Sequence, residues 1–446
     1  MERIRRIENT KDFEIIQGPK NREFIRMLEE QPLDKRLSDE EIEILQKETI
    51  DILSNCINPI DNVGDVTGLA FGYVQSGKTM SFTNLTTLAA DNGFKVIIYF
   101  AGIKNNLLTQ TTNRLKKDLS IDMNPGDYRV FQNPLIENEM HVQISDRLKK
   151  RVPPTILITV LKTKKYITEL QKIFSYPDLK NEFSRSGVLI IDDEADQASL
   201  NTQANKKNEL NISSTYRILR EIRSSIKNHT YLQYTATPQA PLFISILDIL
   251  SPNFVKILNP GNDYTGGKTF FRQNKDSKYP YIIDIAEEEI YSKNNVIKKI
   301  PNSLVEAMMY FFLTVAIGVI KQEHPKTHTR TMMIHPSQLQ NIHSIYEMWV
   351  VQLTKRWVEE LSLRDNDPDK INIVKSFKNI YKKLIIGTDN TLDFDEVFKK
   401  ILPVIKKTPI ILSNSSVEYE INWKKDYSMI LVGGQVLDRG FTVEGL

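Results

Sequence analysis

The sequence predicts an α/β protein built on a parallel β-sheet, and two observations carry that prediction. Between about residues 61 and 258, short apolar runs rich in β-branched residues alternate with helical stretches. Such alternation is typical of parallel strands covered by helices on both faces. Within this region, the apolar run 66–71 is followed by the glycine-punctuated loop 72–79 (GYVQSGKT) and then by a helical stretch. Strand, loop and helix in this order are typical of a phosphate-binding loop.

The N-terminal segment 1–60 is charged, is predicted to be helical and shows no evident chemistry. Ser38 is followed three residues later by Glu41, which is the spacing of a helix capping box. Apolar residues then recur at helical spacing, and Cys56 lies in this stripe, so we predict a core position for it. It is the single cysteine of the chain, which excludes an intramolecular disulfide and a zinc site built on paired cysteines.

The first α/β domain is predicted to span residues 61–258. Its candidate strands are apolar runs; they are 66–71, 95–102, 155–160, 188–192 and 231–235. Residues 259–300 carry loop chemistry and are predicted to be a linker or an insertion. A second α/β domain is predicted over residues 301–446, with a long helical insertion at 338–400 and an incomplete C-terminal part. Its candidate strands are 331–335, 408–413 and 428–432.

Length and charge narrow the possible classes of function. A chain of 446 residues is long enough for two or three domains with cores of their own. Its 59 basic and 56 acidic residues give a net charge of +3, so the overall charge does not by itself indicate a nucleic-acid partner. The N-terminus lacks the apolar core of a signal peptide. The longest apolar run, 307–320, is short for a membrane span and predicts a buried helix. We therefore predict a cytoplasmic protein without a membrane partner.

Each residue type in the loop 72–79 suits phosphate binding. Gly72 and Gly77 let the backbone curl so that its N–H groups point at phosphate oxygens, and the next helix adds its positive N-terminal end. Lys78 can reach the outer phosphates, and the Thr79 hydroxyl can bind Mg²⁺. The alternative is a strand–helix turn without a ligand. The predicted nucleotide-binding residues of the loop are Gly72, Gln75, Ser76, Gly77, Lys78 and Thr79.

A later apolar run, 188–191, ends in the acidic segment 192–196 (DDEAD). In parallel sheets, ligands bind where the carboxyl ends of the strands meet. Carboxylates that a buried strand delivers to this edge are suited to hold the metal ion of a nucleotide site. A solvated acidic loop is the ordinary alternative, but the position of the segment after a phosphate-binding loop favours the metal site.

The motifs resemble, in order, those of superfamily 2 helicases and related nucleic-acid translocases. The loop 72–79 resembles their first motif, 193–196 their second, 235–238 (TATP) their third and 438–440 (DRG) their fifth. The resemblance implies two RecA-like domains that hold ATP and Mg²⁺ between them. It also implies that the chain moves along a nucleic acid.

The helicase resemblance also implies roles for single residues. Asp193 would bind Mg²⁺ together with Thr79. Glu194 would polarise the attacking water, and Lys78 would complete the catalytic set. The implied coupling residues between the nucleotide site and a nucleic-acid groove are Asp196, Thr235 and Thr237. The implied nucleotide contacts from the second domain are Arg439 and Gly440.

Five segments together carry a narrower resemblance. They are 72–79, 234–240, 259–267, 334–343 and 438–446. As a set they resemble the Z-one domain family, whose members are labelled putative endonucleases and occur in bacterial restriction-modification and phage-defence loci. This resemblance implies protein partners from a defence system. The residues themselves show no convincing carboxylate–lysine cluster of a metal-dependent nuclease.

Nucleic-acid contacts are predicted after two of the strands. The segments 104–114 and 159–165 lie where superfamily 2 helicases touch the sugar–phosphate backbone. Lysines and hydroxyl groups suit such contacts, and a solvated helix face is the alternative. The predicted contact residues are Lys104, Asn105, Thr159, Lys162, Lys164 and Lys165.

The leading hypothesis is an ATP-dependent, helicase-like translocase that acts on DNA, single- or double-stranded, in a restriction or phage-defence system. One alternative is an endonuclease subunit on an ATPase scaffold. The other is a nucleotide-binding module with little turnover. It arises because the sixth helicase motif, which carries an arginine finger, would lie beyond Leu446. Such a finger strongly accelerates hydrolysis.

Overall fold

A computed structural model shows two compact units, Met1–Tyr264 (unit 1) and Thr265–Leu446 (unit 2). The division falls inside the segment 259–300 that the sequence marks as a boundary, and the finer four-part division stays a prediction. The structure describes residues 13–32, 36–60, 63–74, 76–184, 186–197, 213–245, 248–273, 281–292, 295–323, 329–385, 392–413, 423, 425–434, 443 and 445–446.

Unit 1 alternates strands and helices along the chain. Its strands are β1 (Gly64–Phe71), β2 (Phe94–Ala101), β3 (Tyr128–Gln132), β4 (Thr155–Val160), β5 (Gly187–Asp193), β6 (Asn228–Thr235) and β7 (Phe254–Ile257). Its α-helices are α1 (Pro19–Glu29), α2 (Asp39–Ser54), α3 (Lys78–Asp91), α4 (Asn105–Asp118), α5 (Met140–Leu148), α6 (Lys164–Ser175), α7 (Pro177–Ser184), α8 (Ser214–Ser225) and α9 (Gln239–Leu242).

The seven strands form one parallel sheet in the order β3-β4-β2-β5-β6-β1-β7. The predicted α/β class with a parallel sheet is confirmed, as are the five predicted strands. The strands β3 and β7 were not predicted. Both lie at the edges of the sheet, and β7 has only four residues, of which every second one is exposed.

Hydrophobic cores lie on both faces of this sheet. Ile97 and Tyr99 of β2 pack on one face, in the same cluster as residues of α2 and α3. Val96, Ile98 and Phe100 point to the other face, in a cluster with residues of α6 and α8. Because both faces are covered, the central strands contain almost no exposed positions, and their sequences read as continuous apolar runs.

The predicted start of α2 is confirmed. Glu41 N donates to Ser38 Oγ at 3.2 Å, and Ser38 N donates to Glu41 Oε2 at 2.9 Å, which completes the capping box. Cys56 follows the helix and is 1% exposed, so the predicted core position is also confirmed. Burial raises the pKa of its thiol to about 12.

A buried arginine connects α8 to two strands. Arg223 Nε donates to His229 Nε2 at 3.0 Å, while its Nη2 donates to Asp65 Oδ2 at 3.1 Å and to Thr67 Oγ1 at 2.9 Å. Because a guanidinium can only donate, His229 Nε2 must accept, and the imidazole is neutral. Burial, followed by the charge of Arg223, lowers the pKa of His229 from 6.5 to about 4.

The free energy of unfolding of unit 1 is therefore expected to depend on pH. The unfolded chain protonates His229 below its ordinary pKa of 6.5, but the folded protein does so only near 4. This contribution is fully present above the unfolded pKa and is lost as pH falls towards the folded pKa, by up to about 3 kcal/mol. Urea unfolding over this pH window measures the loss. His229→Gln should flatten the dependence relative to the wild-type protein; an unchanged slope would contradict the prediction.

Unit 2 contains a smaller parallel sheet in the order β8-β10-β9. Its strands are β8 (Arg330–Ile334), β9 (Ile410–Ser413) and β10 (Ser428–Gly433). Its α-helices are α10 (Asn302–Ile320), α11 (Gln340–Ser362), α12 (Pro368–Ile385) and α13 (Phe394–Lys407), with short helical turns at Lys268–Gln273 and Glu287–Glu289. The three predicted strands are confirmed, and the predicted long helical stretch contains α11, α12 and the start of α13.

Helix α10 is long and apolar enough to cross a membrane by length and composition alone. Half of its most apolar window is buried. Met308, Phe312 and Val315 are fully buried in the core of unit 2, together with residues of α11, α12 and α13. The predicted buried helix is therefore confirmed.

Candidate nucleotide-binding site

The loop 72–79 connects β1 to α3, which begins at Lys78. Gly77 has a φ of +90°, a left-handed conformation that glycine adopts without steric cost. A Cβ atom at Gly77 would meet nothing within 4 Å, so the space beside it is open to a ligand. At Gly72, by contrast, a Cβ atom would lie 2.9 Å from Ser76 Oγ and 3.2 Å from Leu258 Cβ. The backbone conformation thus favours glycine at position 77, and crowding requires glycine at position 72.

Two polar side chains of this loop fit a phosphate group. Ser76 Oγ is buried and has no hydrogen-bond partner among the described residues, which is unusual for a buried hydroxyl. Lys78 Nζ donates to the carbonyl oxygen of Tyr73 at 2.9 Å. An ammonium group has three donors, so Lys78 also has donors for phosphate oxygens.

The carboxylates that follow β5 lie within electrostatic reach of Lys78. Burial lowers the pKa of Lys78, and Glu194, Asp193 and Asp196 oppose this by raising it. Burial likewise raises the pKa of Asp193, and the charges of Lys162 and Lys78 oppose that shift. In the sheet, β5 and β1 are separated only by β6. The structure thus brings the phosphate loop and the acidic segment together where the carboxyl ends of the strands meet.

A sharp turn after β5 sets the direction of these carboxylates. Glu194 has a φ of +56°, which is uncommon for a residue other than glycine. Its amide donates to Asp193 Oδ1 at 3.1 Å, and Ala195 N donates to the carbonyl oxygen of Tyr234 at 3.0 Å. Burial raises the pKa of Glu194, and the neighbouring Asp193 and Asp196 raise it further. A raised pKa makes this carboxylate a better proton acceptor.

The predicted coupling residues also lie together. Thr235 Oγ1 donates to Asp196 Oδ1 at 2.9 Å. The same hydroxyl oxygen accepts from Thr237 N at 2.9 Å, and the hydroxyls of the two threonines are 3.4 Å apart. The end of β6 is therefore tied directly to the acidic turn after β5. Movement of one segment must disturb the other.

Thr79 and Asp193 are the predicted ligands of Mg²⁺. Thr79 Oγ1 accepts a hydrogen bond from Arg114 Nη1 at 3.2 Å. Across the part of the chain that the structure describes, no group of three or more His, Cys, Asp or Glu side chains could hold a metal ion. Mg²⁺ that binds with a nucleotide typically takes only one or two protein carboxylates and completes its shell with phosphates and water. A hydroxyl and a carboxylate fit that mode of binding.

Two of the predicted nucleic-acid contacts are wrong, because the side chains are buried. Thr159 is fully buried, and its hydroxyl pairs with that of Thr112 at 2.9 Å. Lys162 is 2% exposed, and its Nζ donates to Asp192 Oδ1 at 2.8 Å. Neither side chain can reach a polymer at the surface. The sequence pattern of polar residues after a strand does not distinguish a phosphate contact from an internal ion pair.

The other nucleic-acid contacts stay predictions. Lys164 and Lys165 are exposed in the first turn of α6. Asn105 is exposed at the start of α4, and Lys104 is half-buried at the position before it. Three predicted nucleotide contacts lie outside the described residues; they are Gln75, Arg439 and Gly440.

Sequence reasoning missed a support of the phosphate loop. Tyr264 stacks on Tyr73 with ring centroids 5.6 Å apart, and its hydroxyl donates to the carbonyl oxygen of Val74 at 2.8 Å. The amides of Asn259 and Asn262, in the loop after β7, donate to carboxylates of α2. No local pattern could have revealed this contact, since it joins residues far apart in the chain and depends on the unpredicted edge strand.

Comparison with known proteins gives a family match and distant structural likenesses. The Z1 domain matches residues 303–446, which lie in unit 2, and supports part of the predicted resemblance. The search of curated proteins finds no match. Among solved structures, the chain is similar to RecG bound to a three-way DNA junction, with a TM-score of 0.37 and 12% identity over 97% of this chain and 48% of RecG. It is also similar to S. cerevisiae Dbp5 bound to RNA and ADP BeF3, with a TM-score of 0.38 and 10% identity over 95% of this chain and 75% of Dbp5. The chain spans about half the length of the RecG chain.

Proposed function

We propose that unit 1 binds ATP with Mg²⁺ and hydrolyses it, as the motor domain of a helicase-like protein that acts on DNA. One observation carries the proposal: the Lys78 ammonium lies in the phosphate loop and within electrostatic reach of Asp193, Glu194 and Asp196. Phosphoryl transfer depends on positioning and charge neutralisation more than on covalent chemistry. This arrangement is suited to both tasks.

Each side chain has a defined task in this proposal. When bound, Mg²⁺ would supply positive charge to the phosphate oxygens. Thr79 and Asp193 would hold the ion through oxygen atoms. Lys78 exchanges its bond to the carbonyl of Tyr73 for bonds to phosphate oxygens. Glu194 orients a water molecule and accepts its proton, a task that its burial favours.

The wider role is proposed from the order of the motifs. The segments 72–79, 193–196 and 235–238 follow the order found in superfamily 2 helicases, which supports a motor that moves on DNA. The Z1 match in unit 2 supports a place in a cytoplasmic restriction or phage-defence system, with protein partners from that system.

Phosphate release from ATP, measured with and without DNA, tests the proposed function. We expect release that requires Mg²⁺ and increases when DNA is added. Nucleotide binding without release under either condition would point to the module with little turnover. Nicking of plasmid DNA that needs Mg²⁺ but no ATP would point to the endonuclease. Neither binding nor release would refute the proposal.

Thr235→Val is expected to weaken the response to DNA more than the basal rate. The change keeps the shape of the side chain but removes the hydroxyl that joins Asp196 to Thr237 N. A lost buried hydrogen bond costs about 1–3 kcal/mol, so stimulation by DNA should fall about tenfold. Thr230→Val, on the same strand, removes a buried hydroxyl that accepts from Ile57 N and serves as the control for lost stability. Equal stimulation in the two variants would contradict a coupling role.

A further inference from the structure

Lys162 carries a charge inside the core, and the proposed chemistry does not use it. The side chains of Lys162 and Asp192 are both fully buried, and Nζ and Oδ1 are 2.8 Å apart. Tyr231 Oη donates to the other carboxylate oxygen at 2.6 Å. Apolar side chains of similar volume often replace a buried ion pair without loss of stability. We therefore attribute this ion pair to the way it positions nearby groups, and not to a gain in the stability of the fold.

The ammonium directs all of its three donors to the end of β5. Besides Asp192 Oδ1, Nζ donates to the carbonyl oxygens of Asp193 at 2.8 Å and of Glu194 at 2.7 Å. These two residues carry the proposed metal ligand and the proposed proton acceptor. The left-handed conformation of Glu194 persists only where its surroundings impose it. By fixing both carbonyl groups, Lys162 fixes the direction of both carboxylates.

Lys162 also belongs to the short segment that presents the exposed lysines. Its amide donates to the carbonyl oxygen of Gly102 at 2.7 Å, which ties the segment to the end of β2. Helix α6 begins shortly afterwards, with Lys164 and Lys165 exposed. A phosphate backbone that binds these lysines would act on the segment that holds the turn after β5.

We infer that Lys162 is a positioning residue that holds Asp193 and Glu194 in place for Mg²⁺ and transmits nucleic-acid binding at residues 164–165 to them. The inference rests on the proposed function and adds the route by which DNA regulates it. Side chains without three donors, such as Met, cannot make the same set of bonds. A route through the interior also explains why the contact between the lysine and the turn is shielded from solvent.

The experiment compares the wild-type protein with Lys162→Met and with the double variant Lys162→Met/Asp192→Asn. The double variant removes both buried charges and keeps an amide oxygen for Tyr231, and circular dichroism and thermal unfolding check its fold. Lys172→Met is the matched control, since this lysine pairs with Glu169 at 2.6 Å on the exposed face of α6. Two quantities are measured: the affinity for a fluorescent ATP analogue with and without Mg²⁺, and the Mg²⁺ concentration that gives half-maximal turnover.

In the folded variants, affinity for the analogue without Mg²⁺ should stay within about threefold of wild type, since the contacts of Lys162 lie away from the phosphate loop. The required Mg²⁺ concentration should rise about tenfold or more, as is typical when the support of a metal ligand is removed. A variant that melts earlier but keeps the wild-type Mg²⁺ dependence would overturn the inference. Failure of the wild-type protein to bind the analogue would instead overturn the proposed function.

A measurement on the wild-type protein completes the test without any substitution. DNA added in the absence of nucleotide should change hydrogen exchange at the amide of Ala195, which is held by the carbonyl of Tyr234 in the turn after β5. Exchange at Lys47, on the exposed side of α2, serves as the internal reference. If DNA binds and exchange at Ala195 stays the same, the proposed route through Lys162 is refuted.

Discussion

Glu194→Gln is expected to reduce the rate of ATP hydrolysis by about 10²-fold or more, the usual contribution of a positioned proton acceptor. Glutamine keeps the size of the side chain and can still hold a water molecule, but its amide cannot accept the proton. Burial and the charges of Asp193 and Asp196 raise the pKa of Glu194, so the wild-type carboxylate has a stronger tendency to take up that proton. Single-turnover phosphate release measures the effect on the chemical step.

Nucleotide binding should survive the same substitution, because Glu194 does not belong to the phosphate loop. Removing one negative charge beside Asp193 and Asp196 also reduces repulsion of the triphosphate, so ATP should bind as tightly as before or more tightly. Glu221→Gln, on the exposed surface of α8, is the matched control. If Glu194→Gln hydrolyses ATP within about threefold of that control, Glu194 is not the proton acceptor.

The sheet of unit 1 could be predicted from the sequence because its central strands are buried on both faces. Burial on both faces favours nearly continuous apolar runs, such as those at 95–102 and 155–160. The phosphate loop could be predicted because its geometry needs glycine at fixed positions, as the left-handed Gly77 illustrates. In both cases the structural requirement applies to residues that are close together in the chain, so a local sequence pattern reveals it.

Contacts between distant segments could not be predicted in this way. The sequence predicts that Lys162 contacts nucleic acid, because a lysine after a strand is typical of a phosphate contact. Its actual partner, Asp192, lies on a different strand, and only the order of the strands in the sheet brings the two together. Tyr264 likewise reaches Val74 only because β7 pairs with β1. No sequence pattern near these residues indicates either contact.

Lys78→Ala is expected to abolish hydrolysis to background and to weaken ATP binding by about 10²-fold. The ammonium is the one lysine charge that the structure places in the phosphate loop, and removing one preorganised group of this kind costs about 3–4 kcal/mol. Its loss also removes a positive charge that opposes Asp193, Glu194 and Asp196. Repulsion between these carboxylates and the triphosphate then adds to the lost attraction.

Binding of a fluorescent ATP analogue and steady-state phosphate release measure the two losses separately. Lys95→Ala is the matched control, since Lys95 is exposed on β2 in the same sheet. A purely structural lysine would lower thermal stability in proportion to activity, whereas the proposed role predicts a well-folded protein that cannot hold the triphosphate. Wild-type turnover in folded Lys78→Ala would contradict an ATPase site at this loop and with it the proposed motor, since every other step of the mechanism depends on a triphosphate held by this loop. Plasmid nicking that persists in that variant would then assign the chain's chemistry to a site that does not depend on this loop.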